Sequence, residues 1–197
     1  MLAFPACAKF KVMLYTRKGD DGTTKTFGCD QRISKSSDIA EALGSLDEIN
    51  SFLGLIKVKA GGIFFQLPAG ELIISETLNR IQQDLFIIQA ELAGAPKTIV
   101  QDKVLWLEGI IDGIEKLLPP IKTFFVSGGT ELSSLSDIAR TIARRAERRV
   151  VAVADEGKIT ISKETLAYLN RLSSVLYALA RNFNYQADIK EEAPKYE

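Results

Sequence analysis

FFVSGGTELSSLSDIARTIARRAERR, at residues 124–149, carries the clearest helix pattern in the chain. An apolar triplet runs into a Ser-Gly-Gly-Thr turn, and the turn opens a helical segment rich in arginine. At about 100° per residue, Arg140, Arg144 and Glu147 lie within about 60° of one another. The far side of the same helix carries Ile138, Ile142, Ala146, Val150 and Val153. This segment therefore predicts a helix with one packing face and one arginine face.

The arginine face has two interpretations. A surface helix ordinarily has a charged outer face, and spacing alone favours that explanation. The setting favours an anion site, because glycines before a helix free backbone N–H groups and the helix dipole adds partial positive charge. Arginine also binds two phosphate oxygens at once. The sequence thus indicates either a solvated face or a phosphate site.

Four further segments repeat apolar residues at helical spacing. Their stripes are Ile39, Leu43, Leu46, Asn50 and Leu53; Leu78, Ile81, Leu85, Ile88 and Leu92; Val104, Leu107, Ile111, Ile114 and Leu118; and Leu166, Leu169, Leu172, Leu176, Leu179 and Phe183. The last helix is predicted over about Lys163 to Gln186, and Pro119-Pro120 is predicted to stop the one before the arginine helix. We expect an all-α, up-and-down bundle of five helices behind an irregular N-terminal loop, with no strand beyond residue 30.

Composition limits the possible functions. The 197 residues are 46% apolar, which suits one domain with a sizeable core, and the 25 basic residues balance the 25 acidic ones. No global field therefore draws the protein to nucleic acid or anionic lipid, and no apolar run is long enough to span a membrane. The only cysteines, Cys7 and Cys29, fit a reducing cytoplasm.

The chain contains no histidine. Histidine-based acid–base catalysis and histidine-ligated metals are thereby excluded. A catalyst built from these residues must rely on positioning, on cationic stabilisation or on a borrowed cofactor. We expect residues 1–12 to be an N-terminal extension, residues 13–187 to form the helical-bundle domain, and residues 188–197 to be a C-terminal tail.

The N-terminal loop, YTRKGDDGTTKTFGCD at residues 15–30, lacks helical periodicity and predicts a loop or a short irregular hairpin. The spacing of a Walker A motif is absent. Threonine hydroxyls, Lys18, Lys25 and successive N–H donors suit a polyphosphate, with Asp20 or Asp21 reaching a magnesium ion. The alternative is a plain Asp-Gly turn.

Polar residues along two helix edges are further candidates. Asp47, at the edge of the first stripe, is either solvated or the partner of an arginine on a neighbouring helix. A ridge beside the last stripe suits a cleft between helices, but it also resembles an ordinary helix boundary. That ridge consists of Asn170, Ser174, Tyr177 and Arg181.

Four blocks together resemble the ATP:cob(I)alamin adenosyltransferases of the PduO type. They are YTRKGDDGTT at residues 15–24, LGSLDEIN at 43–50, the block at 124–149, and LNRLSSVLYALAR at 169–181. The resemblance implies a five-helix bundle assembled as a homotrimer, with ATP between neighbouring subunits and the corrinoid, cobalamin, in an adjoining pocket. The implied reaction transfers the 5′-deoxyadenosyl group of ATP to the cobalt of a reduced Co(I) corrinoid, giving adenosylcobalamin and triphosphate.

The resemblance also implies roles for individual residues. The catalytic set is Arg144, Arg140, Asp47 and Phe124, with Arg140 pairing with Asp47 across a subunit boundary and Phe124 at the lower corrinoid face. The N-terminal loop would hold the triphosphate of ATP with Mg²⁺, and Glu147 would reach Mg²⁺ through ATP. The nucleotide-binding set is Thr16, Arg17, Lys18, Gly19, Asp20, Gly22, Thr23, Thr24, Lys35, Arg144, Glu147 and Asn170.

Three positions depart from the pattern of the family, and one of them is Ser127, since the turn is often Pro-Gly-Gly in members and is Ser127-Gly128-Gly129 in this chain. Ser174 stands where members commonly have a carboxylate, and Asp137 stands where many have histidine.

The implied partners are ATP, the corrinoid, a Co(II) reductase and an adenosylcobalamin-dependent enzyme, without nucleic acid or membrane. Two alternatives are a non-catalytic ATP- or corrinoid-binding regulatory bundle and a structural bundle whose arginine helix binds RNA or a partner protein. Phe124, Phe125 and Val126 either form an apolar wall against the cofactor or belong to the ordinary hydrophobic core.

Overall fold

The computed structural model describes residues 14–26 and 32–196, and within them the chain folds into five helices and two small antiparallel hairpins. The helices are α1 (Asp38–Lys59), α2 (Ile74–Leu92), α3 (Gln101–Glu115), α4 (Glu131–Asp155) and α5 (Lys163–Gln186). The strands are β1 (Thr23–Lys25), β2 (Arg32–Ser34), β3 (Phe64–Leu67) and β4 (Gly70–Ile73), with β1 paired to β2 and β3 to β4. The proposed extension at residues 1–12, together with Cys7 and Cys29, lies outside the described residues.

The helices run up and down, as the sequence predicts. Lys59 at the end of α1 pairs with Glu131 at the start of α4 at 2.7 Å, so these two helices are antiparallel. Helix α1 packs closely against α2, and α4 packs closely against α5. Within the described residues, no helix is both long enough and apolar enough to cross a lipid bilayer.

The predicted stripes meet in one core with small shifts. All five predicted residues of α2 are buried, whereas on α3 Ile110 is buried and Ile111 only partly so. The prediction that Ile138 packs inward is wrong, because its side chain is 48% exposed. It lies at the edge of a stripe whose centre is Ala139 and Ala146, both fully buried. A helical face is read reliably at its centre and poorly at its edges.

The prediction of no strand beyond residue 30 is also wrong. β2 begins at Arg32, and the β3–β4 hairpin connects α1 to α2. In β3 the exposed Phe64 alternates with the buried Phe65, but four residues are too short to distinguish such a pattern from a loop. The Phe65 ring contacts Phe183 of α5 edge to face at 5.1 Å between centroids, so the hairpin covers one end of the bundle.

Two buried carboxylates on α2 hold the neighbouring helices in place. Asp84 accepts a hydrogen bond of 3.1 Å from the Tyr168 hydroxyl and pairs with Lys103. Burial, followed by the nearby Asp84 charge, raises the pKa of Tyr168. Glu91 accepts a hydrogen bond of 2.7 Å from the backbone N–H of Ser162, just before α5. Each buried charge is thus paired or hydrogen-bonded, as burial requires.

The turn before α4 is built around the side chain of Asn184 from α5. Asn184 Oδ1 accepts from the Thr130 N–H at 3.0 Å, and Asn184 Nδ2 donates to the Gly128 carbonyl at 2.8 Å. A Cβ on Gly129 would lie 2.3 Å from Asn184 Oδ1. The Ser133 N–H donates to Thr130 Oγ1 at 3.1 Å. These N–H groups are therefore already paired, and Gly129 leaves room for Asn184 rather than freeing those donors for an anion.

Gly129→Ala is expected to lower the free energy of unfolding more than Gly128→Ala. Both substitutions strain a residue with positive φ, 112° at Gly129 and 133° at Gly128, at a cost of about 1–3 kcal/mol. Only Gly129→Ala also displaces Asn184, since a Cβ at Gly128 meets nothing within 4 Å. The lost hydrogen bonds add about 1–3 kcal/mol. Urea denaturation measures both variants, and equal losses would contradict the role given to Asn184.

Candidate functional site

A cavity of about 610 Å³ lies between α4, α5 and the connection that precedes α4. Its polar lining includes Asp137, Arg140, Arg144, Ser174, Tyr177 and Arg181, and its apolar wall includes Phe124, Phe125 and Val126. Three members of the polar ridge on α5 thus border a cleft, while Asn170 is exposed and lies outside the lining. The cavity combines an apolar wall with cationic side chains, which is the composition expected of a ligand site.

The apolar wall is largely open to solvent. Phe124 is 79% exposed and Val126 is 59% exposed, so the core alternative for this triplet is wrong for these two residues. Phe125 is half-buried and lies 5.1 Å from the guanidinium of Arg181. Exposing a phenylalanine on a cavity wall costs hydrophobic burial, which favours a ligand rather than the core as its packing partner.

The two predicted arginines of the cavity differ in their partners. Arg140 Nε donates to Asp137 Oδ1 at 3.0 Å, and its guanidinium lies 5.8 Å from the centre of the Tyr177 ring. Burial raises the pKa of Tyr177, which keeps its hydroxyl neutral. Arg144 is exposed and makes no ion pair or hydrogen bond with any residue that the structure describes. Its guanidinium is therefore available to an anion.

Asp47 does not join this cavity within one chain. It lies exposed on α1 with no hydrogen bond or ion pair to the described residues, and Arg140 is held by Asp137 instead. The neighbouring Glu48 behaves differently, because it pairs with Arg145 of α4. The pairing of Asp47 with Arg140 across a subunit boundary stays a prediction.

A second cluster of predicted residues lies where α3, α4 and α5 meet. Asn170 Nδ2 donates to Glu147 Oε1 at 3.0 Å, which brings these two nucleotide-binding candidates together. Arg171 Nη1 donates to Asn170 Oδ1 at 2.7 Å, and Arg171 Nε donates to Glu108 at 2.8 Å. Arg171 thus fixes the orientation of the Asn170 amide. Arg171 was not among the predicted residues, because adjacent residues of a helix point about 100° apart and do not predict a contact.

The N-terminal loop forms a tight turn around Asp21. The N–H and hydroxyl of Thr23 donate to Asp21 Oδ1 at 3.0 and 2.7 Å, and these bonds hold the pKa of Asp21 below its usual value. Gly22 has a φ of 78°. The Asp-Gly turn, which was the alternative interpretation of this loop, is therefore present. The side chains of Asp20 and Lys18 are left without partners among the described residues.

Two basic residues that follow the turn in the sequence hydrogen-bond to this loop and support it. Arg32 donates to the Lys18 carbonyl and to Thr23, and Lys35 Nζ donates to the Gly19 carbonyl at 2.8 Å. The pairing of β1 with β2 brings these residues back to the loop. Lys35 was predicted as a nucleotide ligand, whereas Arg32 was missed because only the strand register reveals its position.

The structure therefore places the predicted residues in four groups. Phe124, Arg140 and Arg144 share the cavity, and Glu147 contacts Asn170 on the neighbouring helix. The loop residues, from Thr16 to Thr24 with Lys35, form a separate group, and Asp47 stands alone. Within the described residues, no hydrogen bond or ion pair joins the loop residues 16–24 to the cavity.

Comparison with known proteins gives consistent matches over most of the chain. Residues 14–183 match the family model described as cobalamin adenosyltransferase. A corrinoid adenosyltransferase of Bacillus subtilis is 39% identical over 180 residues, which cover 89% of this chain and 89% of that protein. The corrinoid adenosyltransferase PduO of Citrobacter freundii is 39% identical over 181 residues, covering 88% of this chain. This chain spans 50% of the length of the Citrobacter protein.

A solved structure shows the same fold. It is a phenylalanine-to-alanine variant of a PduO-type ATP:corrinoid adenosyltransferase from Lactobacillus reuteri, complexed with cobalamin and ATP. The two chains are 32% identical and superpose with a TM-score of 0.80, and the match covers 93% of this chain and 99% of that one.

Proposed function

This chain belongs to the cobalamin adenosyltransferase family, and we propose that it transfers the 5′-deoxyadenosyl group of ATP to the cobalt of a reduced Co(I) corrinoid. The products are adenosylcobalamin and triphosphate. The observation that carries the proposal is the cavity in which the exposed Phe124 shares a lining with Arg144, which has no partner among residues 14–26 and 32–196. An apolar wall suits the face of a corrin ring, and a free guanidinium suits a phosphate oxygen.

The reaction fits a chain without histidine. Co(I) is itself the nucleophile: its electron pair attacks the 5′ carbon of ATP, a cobalt–carbon bond forms, and the carbon–oxygen bond breaks. Triphosphate leaves with the electrons of that bond, so the protein supplies neither a base nor a covalent nucleophile. It must align cobalt with the carbon and place cations over a leaving group that gathers negative charge.

The residues divide between these two tasks. Arg144 is available for the leaving triphosphate, and Lys18 on the braced N-terminal loop offers a second cation. Glu147 and Asn170, held together and oriented by Arg171, offer fixed polar groups to the nucleoside. Because no hydrogen bond or ion pair joins the loop to the cavity in the described part of one chain, ATP bound between neighbouring subunits of a homotrimer would bring them to one ligand.

Magnesium fits this arrangement as a companion of ATP. Mg²⁺ usually takes one or two carboxylates together with substrate phosphates, and no group of three or more metal-ligating side chains lies in the part of the chain that the structure describes. The Asp20 carboxylate has no partner among the described residues, whereas Asp21 Oδ1 already accepts three bonds, two from Thr23 and one from Arg32. One oxygen of Glu147 accepts from Asn170, and the other remains. Asp20 or Glu147 would hold the ion, which would neutralise charge on the leaving triphosphate.

The alternative is a bundle that binds ATP or corrinoid without turnover. An anaerobic assay with ATP and chemically reduced cobalamin, followed at the cobalamin absorbance bands, distinguishes the two. Adenosylcobalamin that forms only when ATP is present supports the proposal, and binding of both ligands without product supports the alternative. A Co(II) reductase and an adenosylcobalamin-dependent enzyme remain the proposed protein partners, because the substrate must be supplied reduced and the product used.

The role of Phe124 follows from the chemistry of cobalt reduction. Co(II) with an axial ligand is hard to reduce, because the lone pair of the ligand raises the orbital that must accept the electron. An apolar ring against the lower corrinoid face would exclude both water and the base of the cofactor. With no histidine in the chain, no imidazole can take the vacated position. Phe125 and Val126 line the same cavity and extend its apolar surface.

Arg144→Lys is expected to lower kcat/KM at least about tenfold, which corresponds to about 1.4 kcal/mol of transition-state stabilisation. The charge is kept, but an ammonium cannot hold two phosphate oxygens in a planar fork. Arg148→Lys is the matched control, since Arg148 is an exposed arginine of the same helix outside the cavity lining. Wild-type turnover in Arg144→Lys would remove this arginine from the mechanism.

Asp47→Asn is expected to weaken the trimer or its affinity for ATP, because Arg140 would lose a charged partner at the subunit boundary. Glu48→Gln is the control, since Glu48 is the adjacent carboxylate and pairs with Arg145 inside its own chain. Sedimentation velocity and ATP titration measure both effects. If Asp47→Asn sediments and binds ATP as the wild type does, the pair is not made.

Phe124→Ala is expected to keep its fold and its ATP affinity while losing the spectroscopic signature of four-coordinate Co(II). Phe124 is already 79% exposed, so thermal stability should change little. Turnover should fall most when reduction must occur on the enzyme. Phe86→Ala, at an exposed phenylalanine of α2, is the control. Retention of four-coordinate Co(II) by a folded Phe124→Ala variant would exclude this role.

A further inference from the structure

The segment that follows α5, residues 188–192, returns to the apolar wall of the cavity. Asp188 has a φ of 54°, and the Ile189 N–H donates back to the Asn184 carbonyl at 2.9 Å, which turns the chain at the end of the helix. Further along, the Val126 N–H donates to the Glu192 carbonyl at 2.8 Å. The segment is thus hydrogen-bonded to the triplet that forms the wall.

Arg181 connects this segment to α5 and to the wall. Its side chain is only 6% exposed, and its Nε and Nη2 donate to the two carboxylate oxygens of Glu191 at 2.8 to 3.0 Å. Nη2 also donates to the Pro119 carbonyl at 3.2 Å, and the guanidinium lies 5.1 Å from the centre of the Phe125 ring. One buried side chain therefore joins the helix, the connection before α4, and the segment after α5.

The ion pair of Arg181 and Glu191 also lies between two cavities. Arg181, Glu191 and Phe125 line the cavity of about 610 Å³ and also a second cavity of about 340 Å³ on its other side. A buried guanidinium without its carboxylate is strongly unfavourable, so breaking the pair would expose Arg181 or draw it out of place. Either change would disturb the partition between the two cavities, which is formed by Arg181, Glu191 and Phe125.

The position of Phe124 depends on this partition. Phe124 is itself 79% exposed and has little packing to hold it. Its following neighbours are held, Phe125 by the guanidinium of Arg181 and Val126 by the Glu192 carbonyl. A side chain that must present its ring to a ligand needs such support from a second layer of residues.

We propose that Arg181 and Glu191 are positioning residues whose ion pair clamps residues 188–192 onto the apolar wall and so fixes Phe124 for the corrinoid. The clamp rests on the proposed function and adds to it a part of the chain outside the family match, which ends at residue 183. Neither Arg181 nor Glu191 forms a hydrogen bond or an ion pair with Arg144, so the clamp acts on corrinoid binding and not on the triphosphate.

The test compares Glu191→Gln with Glu192→Gln. Both remove one negative charge from neighbouring positions, but only Glu191 uses its carboxylate in the clamp, since Glu192 contributes its backbone carbonyl. We expect Glu191→Gln to raise the KM for the corrinoid about fivefold or more, with the KM for ATP unchanged. It should also weaken the four-coordinate Co(II) signature. Glu192→Gln should leave all three at wild-type values.

A ligand-free measurement separates failure of the clamp from failure of the proposed function. Hydrogen exchange of the Val126 N–H should be faster in Glu191→Gln than in the wild type or Glu192→Gln. Unchanged exchange would overturn the clamp, whatever the activity. Faster exchange with an unchanged corrinoid KM would overturn its positioning role, and a wild type without adenosylation would overturn the function alone. Should Glu191→Gln fail to fold, Glu191→Asp keeps the charge, loses the two-oxygen geometry, and is judged by the same measurements.

Discussion

The contact of Asn184 with the turn before α4 is the constraint on which the site depends. It fastens the start of α4 to the end of α5, and these two helices run antiparallel. The register set there places Arg140 beside Tyr177 and Glu147 beside Asn170. These two contacts are about two helical turns apart. The same turn aims the apolar wall at the arginine face, because the wall enters the turn directly. One buried amide thus sets the relation between the apolar and the cationic halves of the cavity.

The arginine face of α4 turns out to serve two purposes. Arg145 and Arg149 pair with Glu48 and Glu41 of α1, as the ordinary charged face of a surface helix would. Arg144 points into the cavity lining and is left without a partner among the described residues. Exposed pairs of this kind contribute about 0–1 kcal/mol each, so the α1 pairs help orient the helix more than they stabilise it. The ordinary charged face therefore accounts for Arg145 and Arg149, whereas a phosphate site at Arg144 stays a prediction.

Periodic patterns in the sequence predict most of the fold, and single contacts are where prediction fails. The α5 bounds agree with the predicted Lys163 to Gln186, because fourteen of its residues are buried in a strong helical stripe. A four-residue strand such as β3 has too few repeats to be recognised. The roles of Arg171 and Arg32 depend on a contact between adjacent residues and on a strand register, and neither leaves a periodic trace. The Ser-Gly-Gly turn was correctly located, but its purpose was visible only once Asn184 was placed against it.

The state of Arg140 bears on how the proposed trimer would complete the site. In one chain Arg140 is held by Asp137, three residues earlier on the same helix. Such a local pair stabilises a helix by only about 0.2–0.5 kcal/mol. Asp47, exposed on α1 without a partner in the described chain, could therefore replace or join Asp137 at little cost if a neighbouring subunit presented it. The desolvation of Arg140 at a subunit boundary would make the new pair stronger than the one it displaced. Assembly and formation of the ATP site would then be the same event, because the arginine that would join the subunits lies in the lining that also carries Arg144 and Phe124.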